Sequence, residues 1–236
     1  METLSTTKKF SFDVDEALKT GFYVSGTPGS GKSDIAMLCA DRLREAGAIV
    51  MVWDPSQDWL ERYPIPYILT FKNPPYNLEA VKLKDAIFDT SSLTVLQMQE
   101  AADRFCWLLY NYQAQLPKEQ RRQFFLIFEE AQILLPQGSM RAKRLQNIVR
   151  MLTVGRNYKI RAGTITQFAA MVDKDATRYM KQRYYGWTSE VNDVSYIGKI
   201  IGDVEANNLR YYNAGDFTYD YPNKQILEKI HIEPYR

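Results

Sequence analysis

A glycine-rich segment near the start of the chain constrains the fold more than any other feature. It matches the pattern G-x-x-x-x-G-K-[ST] at every fixed position. Its members are Gly26, Thr27, Pro28, Gly29, Ser30, Gly31, Lys32 and Ser33. An apolar segment, residues 22–24, precedes it, and apolar residues at helical spacing follow it. Strand, loop and helix in this order predict a loop whose backbone amides and helix N-terminus bind phosphate.

The two residues that end this motif have expected roles of their own. In such loops the lysine reaches the β and γ phosphates of a nucleotide, and the hydroxyl that follows it binds Mg²⁺. The sequence therefore predicts ATP and Mg²⁺ as cofactors, with Lys32 on the phosphates and Ser33 on the metal. Glycine makes up only ~7 % of average sequences, so chance is a poor explanation for the full pattern.

The rest of the chain alternates between predicted strands and helices. Residues 48–53, 124–128 and 162–166 are apolar on both faces, as buried parallel strands are, while residues 97–115 have an apolar helical face. The pattern predicts an α/β fold in three layers around a mostly parallel sheet. With 236 residues, we expect an arm over residues 1–20 and one domain over residues 21–236, with an edge hairpin at about 209–221.

A pair of acidic residues follows one of the predicted central strands. Glu129 and Glu130 come directly after residues 124–128. A carboxylate at such a strand end faces the phosphate loop and holds the metal, and its neighbour is placed to polarise an attacking water. We assign Glu129 to Mg²⁺ and Glu130 to the water. Aspartate is usual on the metal side, so which glutamate is the base stays open, and an exposed acidic helix start is the alternative.

Other residue types restrict the chemistry. Cys39 and Cys106 lie among apolar residues and are expected to be buried thiols, and His231 is the one histidine. A Ser-His triad or a histidine-rich zinc site is therefore not expected. The apolar runs are too short to span a bilayer and the start lacks a secretory signal, so we expect a cytoplasmic protein without membrane insertion.

Three further segments carry a resemblance to a known family. Asp54 begins the sequence Asp-Pro-Ser-Gln-Asp, Arg156 lies in Gly-Arg-Asn-Tyr-Lys-Ile, and Gln167 ends Thr-Ile-Thr-Gln. With the glycine loop and the two glutamates, these segments resemble the ATPase core of the FtsK-HerA superfamily of DNA-pumping motors. The resemblance implies a RecA-like (ASCE) P-loop NTPase fold. It covers residues 21–167, although Lys159 replaces the family's glycine.

The resemblance also implies roles for these residues. Asp54 lies near the metal and the reacting water, Arg156 acts as a finger in a neighbouring subunit's site, and Gln167 senses the γ phosphate. A strand-ending turn at Asp54, a solvated base at Arg156 and a strand cap at Gln167 are the alternatives. Residues 131–172 contain no acidic residue, and we expect their cations to face ATP or nucleic acid; a helix face balanced by acidic neighbours in space is the alternative. The proposed DNA contacts are Arg141, Lys143 and Arg144.

The family's N-terminal barrel is not recognisable in this chain, which favours the short members that resemble viral genome-packaging ATPases. That resemblance implies double-stranded DNA as partner, a hexameric ring, a capsid vertex protein as a further partner, and a place in the host cytoplasm or virion. Motors of conjugation, segregation or repair use the same core. A small-molecule P-loop kinase and a nucleotide-gated binding module are the remaining alternatives.

Overall fold

One sheet of nine strands forms the centre of the computed structural model, which describes residues 10–64, 68–70, 84–138 and 145–235. In chain order the strands are β1 (Phe22–Ser25), β2 (Ile49–Asp54), β3 (Ile68–Thr70), β4 (Ala86–Asp89), β5 (Phe124–Phe128), β6 (Ile160–Thr166), β7 (Gln182–Gly186), β8 (Asp216–Tyr221) and β9 (Ile226–His231). Across the sheet the order is β3-β4-β2-β5-β6-β1-β7-β8-β9. The strands β1 to β7 run parallel to one another. β8 runs antiparallel to both of its neighbours, β7 and β9. The mostly parallel sheet is confirmed.

Helices cover both faces of this sheet. In chain order they are α1 (Val14–Thr20), α2 (Lys32–Glu45), α3 (Asp58–Arg62), α4 (Val95–Gln115), α5 (Ala131–Leu134), α6 (Gln146–Val154), α7 (Lys174–Thr177), α8 (Val191–Ile201) and α9 (Asp203–Asn208). The first three pack into one apolar core, and α4, α5, α6, α8 and α9 pack into the other. The predicted three layers are therefore confirmed. No helix in the described part of the chain is long and apolar enough to cross a bilayer.

The central strands are buried on both faces because their residues are apolar throughout. Every residue of β5 is buried, with alternate side chains entering the two cores. On the α2 face, Phe22 stacks on Phe125 with ring centroids 5.5 Å apart. The ring of Phe22 passes over Gly163, where a Cβ atom would lie 2.5 Å from it. The two thiols, Cys39 and Cys106, are buried as expected.

The parallel arrangement brings the functional segments to one edge of the sheet. Parallel strands end on the same side, so the loops after β1, β2, β5 and β6 all emerge there. Ser25 pairs with Thr166, and Phe128 pairs with both Trp53 and Thr164. The residues at these strand ends are Asp54, which is the last residue of β2, and Gly26, Glu129 and Gln167, which directly follow β1, β5 and β6.

The C-terminal hairpin differs from the prediction. The sequence placed it within residues 209–221, but Leu209–Tyr211 forms a 3-10 turn that extends α9. The hairpin consists of β8 and β9 instead. β8 pairs with β7 along one edge, which leaves its other edge for the alternating segment Ile226–His231. Part of the predicted N-terminal arm forms α1, whose Ala17 is fully buried in the α2-side core.

Candidate functional site

The glycine-rich loop is positioned by backbone hydrogen bonds from distant parts of the chain. The amide of Thr27 donates to the carbonyl of Trp187 at 2.8 Å, and the amide of Gly215 donates to the carbonyl of Ser30 at 3.0 Å. Gly31, the residue before α2, has a φ of +92°, a left-handed conformation that favours glycine. The loop is thus held between the β7 end and the start of β8, and sequence reasoning identified neither support.

Lys32 lies across the loop that precedes it. Its ammonium donates to the carbonyl of Thr27 at 3.0 Å, and the residue is only 7 % exposed. Burial lowers the pKa of Lys32, while the nearby charges of Glu129 and Glu130 act in the opposite direction. The side chain therefore contacts the loop and lies close enough to the two glutamates to be influenced by their charge, and its role as a phosphate ligand stays a prediction.

Glu129 connects the loop to the central strand β5. One carboxylate oxygen, Oε1, lies 3.4 Å from the hydroxyl of Ser33. The other, Oε2, accepts a hydrogen bond of 3.1 Å from the indole Nε1 of Trp59. A hydroxyl and a carboxylate are both oxygen ligands of the kind that Mg²⁺ prefers, and Mg²⁺ keeps water and phosphate in its remaining positions. Ser33 and Glu129 therefore fit the metal that the sequence predicts.

No larger metal site is present among the residues that the structure describes. In those residues, no group of three His, Cys, Asp or Glu side chains is arranged to hold an ion. A site of one hydroxyl and one carboxylate depends on the nucleotide to complete it. This fits a metal that arrives with ATP better than a permanently bound structural ion.

Asp54, the last residue of β2, accepts hydrogen bonds from the turn that follows this strand. Its Oδ1 accepts from the amide and hydroxyl of Ser56, and its Oδ2 accepts from the amides of Trp59 and Leu60, at 3.0 to 3.1 Å. The carboxylate thus organises the turn that opens α3. Asp54 is connected to Glu129 through Trp59, and its predicted place near the metal stays a prediction.

Trp59 was missed by sequence reasoning. It is fully buried, and its backbone amide is held by Asp54 while its indole reaches Glu129. The edge of Tyr63 packs against its ring, with centroids 5.0 Å apart. The only signal in the sequence was its position, five residues after Asp54 on a short helix.

Glu130 is held by a pair of glutamines. Its backbone is left-handed, with φ +50°, which turns its side chain away from the strand direction. The carboxylate accepts from the amide groups of Gln132 and Gln167, and Gln132 in turn accepts from the hydroxyl of Thr166 at 2.6 Å. The structure therefore brings together two predicted residues, Glu130 and Gln167, with Gln132 as a partner that the sequence analysis did not single out.

The other predicted residues lie elsewhere. Arg156 is exposed in the 3-10 turn before β6, at the amino edge of the sheet. A seven-residue strand is roughly 20 Å long, so Arg156 is remote from the site of its own chain. Its expected action on a neighbouring subunit stays a prediction. The proposed DNA contacts Arg141, Lys143 and Arg144 lie outside the described residues.

Burial dominates the electrostatics of Glu129. The residue is 4 % exposed, and this burial raises the pKa of its carboxyl group to about 8, against a usual value of 4.5. The Trp59 hydrogen bond lowers the pKa and the Glu130 charge raises it. Burial disfavours the charged form, so the free site retains a proton that an exposed glutamate would lose.

This pKa predicts how stability varies with pH in the absence of nucleotide and Mg²⁺. Between pH 4.5 and 8 the unfolded chain releases the Glu129 proton and the folded chain keeps it, so rising pH favours unfolding. Glu129→Gln removes this dependence. Relative to the parent, its free energy of unfolding should rise with pH by at most about 1.4 kcal/mol per pH unit. Urea denaturation at several pH values measures this, and a difference that is constant from pH 5 to 8 contradicts it.

Comparison with known proteins identifies the fold. No model of a protein family matches the chain, and no curated protein matches it. Solved structures do match. The genome-packaging NTPase of Sulfolobus turreted icosahedral virus 2 in complex with ATP-gammaS has a TM-score of 0.63 at 14 % identity, over 91 % of this chain and 97 % of that one. The DNA-packaging ATPase from Sulfolobus turreted icosahedral virus has a TM-score of 0.63 at 17 % identity, over the same shares.

A third match comes from a different biological setting. The bacterial conjugative coupling protein TrwB has a TM-score of 0.67 at 10 % identity, over 99 % of this chain and 89 % of that one. At these identities the similarity concerns the fold. The chain therefore has a RecA-like P-loop NTPase fold, which confirms the fold class predicted from its motifs.

Proposed function

We propose that this protein hydrolyses ATP to ADP and phosphate in an Mg²⁺-dependent reaction. The observation that supports this most is the meeting of two separate segments: Lys32 and Ser33 on the glycine-rich loop face Glu129 and Glu130 at the end of β5. A lysine, a hydroxyl and two carboxylates are the groups that bind a metal nucleotide and activate a water. Nucleotide binding is also supported by the similarly folded packaging NTPase, which is in complex with ATP-gammaS.

Each residue has a distinct part in the proposed reaction. The loop amides and Lys32 bind the phosphates. Ser33 and Glu129 would hold Mg²⁺, which would supply positive charge to the phosphates. Glu130 accepts the proton of the attacking water, because its carboxylate is held in place by Gln132 and Gln167 and is less buried than Glu129. Gln167 directly follows β6 and donates to this base, a position suited to sensing the γ phosphate.

We further propose that hydrolysis drives the movement of double-stranded DNA, most specifically the packaging of a viral genome. The fold similarity supports this, because two of the matched structures are genome-packaging enzymes and the match extends over 97 % of each of their chains. The conjugative coupling protein with the same fold makes transfer of DNA between cells the neighbouring possibility within the same class. A packaging role implies a capsid vertex protein as partner and a location in the host cytoplasm or the virion.

The direct test is the ATPase rate with and without double-stranded DNA. The parent protein, at low salt and at a concentration that allows oligomers, should release phosphate faster when duplex DNA is added. Lys32→Ala should bind and hydrolyse ATP at least 100-fold less well, because it removes the cation that contacts the phosphates. Phosphate release and nucleotide-binding assays measure both effects.

The result also separates the alternatives. A parent rate that ignores duplex DNA contradicts the motor, although it leaves ATP hydrolysis standing. Transfer of the γ phosphate to a small acceptor instead of water identifies a kinase. A Lys32→Ala variant that binds and consumes ATP as well as the parent contradicts the nucleotide site itself.

Arg156 supports a ring in which each ATP lies between two subunits. It is exposed at the amino edge of the sheet, opposite the loop, where a neighbouring subunit could receive it. A head-to-tail contact of this kind closes into a ring, and we propose a hexamer. An arginine that reaches the γ phosphate from outside neutralises charge in the transition state and is worth roughly 10³ to 10⁵ in rate.

Mixing two inactive variants tests this arrangement. Arg156→Ala lacks the finger and Glu130→Gln lacks the base, and each alone should be nearly inactive. In mixed rings some sites receive an intact base and an intact finger, so equal amounts should recover roughly a quarter of the parent ATPase rate. No recovery in mixtures that have exchanged subunits would exclude Arg156 as a residue supplied in trans.

Trp59 has the geometry of a positioning residue for Glu129. Its indole donates to the oxygen that faces away from Ser33, so it fixes the rotation of the carboxylate toward the metal. Trp59→Phe keeps an aromatic ring and removes this donor. A hydrogen bond to a charged group contributes about 1.5–3 kcal/mol, so kcat should fall roughly tenfold or more.

A matched control distinguishes positioning from general loss of structure. Trp53 is equally buried but its indole packs on Phe88 and Phe105 in the opposite core. Steady-state kinetics and melting temperatures are measured for Trp59→Phe and Trp53→Phe. We expect a reduced kcat with little change in KM for ATP for the first variant alone. Equal effects of the two variants on kcat would show that Trp59 has no such role.

A further inference from the structure

A groove with a basic lining lies on the α4-side face of the sheet, beside α7 and α8. It consists of two adjoining cavities of about 540 and 310 Å³ that share Lys174, Tyr196 and Lys199. We call it the α7–α8 groove. It is separate from the glycine-rich loop, since α2 lies on the opposite face. None of the roles proposed above uses these residues.

The smaller cavity is lined by cations and phenols. Its lining cations are Lys174, Arg178, Arg183 and Lys199, and its lining tyrosines are Tyr23, Tyr185 and Tyr196. No carboxylate is among the described residues that line it. Arg183 is neutralised by Asp220 at 3.2 Å. Lys174 and Lys199 form no ion pair with a described side chain, but Glu190 and Asp193 line the larger cavity beside them. The groove as a whole therefore has four lining cations and two lining carboxylates.

A buried hydroxyl provides a second, independent sign of a ligand. Tyr23 lines the same cavity and is 3 % exposed, and its hydroxyl makes no hydrogen bond of normal geometry to a described residue, although Ser25 is close enough to lower its pKa. A buried polar group without a partner costs free energy, and such groups in native structures commonly have a ligand or water as partner. Nearby, the ammonium of Lys174 lies 5.4 Å from the ring centroid of Tyr196. Donors and cations thus converge on one space.

The larger cavity connects this groove to the catalytic edge. Phe168 and Ala170 line it, and both follow Gln167 closely in the chain. The amide of Ala170 donates to Asp193 of α8 at 2.7 Å, and Asp193 is 3 % exposed. The segment that carries the Glu130 partner is therefore tied to the helix that carries Lys199. A ligand in the groove would lie against both.

We propose that the α7–α8 groove binds the phosphodiester backbone of duplex DNA, with Lys174 and Lys199 contacting phosphates. This inference rests on the proposed function, in that it names the DNA contacts of the motor. Charge complementarity supports it, because cations outnumber carboxylates in the groove lining and the smaller cavity has cations and no lining carboxylate among the described residues. Cations suit phosphate oxygens, and backbone contacts of this kind bind without regard to sequence. Bound DNA would bias the Gln167 segment through Ala170 and α8.

The experiment compares two double variants that carry the same change in charge. Lys174→Ala with Lys199→Ala alters the groove, and Lys19→Ala with Lys118→Ala alters exposed lysines elsewhere. Binding of a fluorescent DNA duplex is measured by anisotropy at several salt concentrations, with the ATPase rate measured without and with DNA. The groove variant should bind roughly tenfold more weakly, with a salt slope smaller by about 2, and should lose DNA stimulation. Its ATPase rate without DNA should equal that of the parent.

Two further variants keep the result interpretable. Lys174→Arg with Lys199→Arg retains both charges and should bind DNA as the parent does. If the alanine variant melts at a lower temperature than the parent, Lys174→Gln with Lys199→Gln replaces it, since glutamine retains most of the side-chain length.

The outcomes separate this inference from the proposed function. If the parent binds DNA and is stimulated by it, but the groove and control variants bind DNA equally well, the inference about the groove is contradicted and the proposed function is not. A parent that neither binds duplex DNA nor responds to it overturns the groove and the motor together. Weaker binding by the groove variant with an unchanged salt slope would mean that the lysines do not contact phosphates, and would also overturn the inference.

Discussion

The burial of Glu129 between the glycine-rich loop and α3 is the constraint on which the rest of the site depends. A carboxylate this deep in the protein is costly unless it is hydrogen-bonded or paired with a cation. Ser33 and Trp59 each contact one of its oxygens, and Lys32 lies close enough to influence its charge. Free of ligand, the carboxyl group keeps its proton. Binding of Mg²⁺ with a nucleotide therefore requires the loss of that proton.

Two chains of hydrogen bonds support the adjoining glutamates from opposite sides. Asp54 organises the turn that places Trp59 against Glu129, and Thr166 orients Gln132 toward Glu130. Neighbouring residues in sequence thus acquire different surroundings: Glu129 is buried among the strands, and Glu130 is turned toward the Gln167 side by its left-handed backbone. This difference is the physical basis for giving them different roles, one on the metal and one on the water.

The parallel sheet explains how distant segments can act together. Strands β1, β2, β5 and β6 end at one edge of the sheet, so the candidate site residues at their ends lie together there. Arg156, which precedes β6, lies at the opposite edge. The proposed site, completed by a second subunit, is compatible with this geometry. The loop after β6 extends the catalytic edge toward α8 through the Ala170 contact with Asp193. This segment connects the proposed nucleotide site with the proposed DNA-binding groove.

The sequence by itself determined the phosphate loop, the central strands and the identities of Glu129, Glu130 and Gln167, because these depend on local patterns: glycine spacing, continuous apolar runs and the residue after each run. Tertiary structure decided the rest. Trp59, Gln132 and the α7–α8 groove come from contacts between segments far apart in the chain, and the β8–β9 hairpin depends on which strand edge β7 leaves for pairing. Such contacts leave no periodic signature, since each is a property of two surfaces that meet only when the sheet has formed.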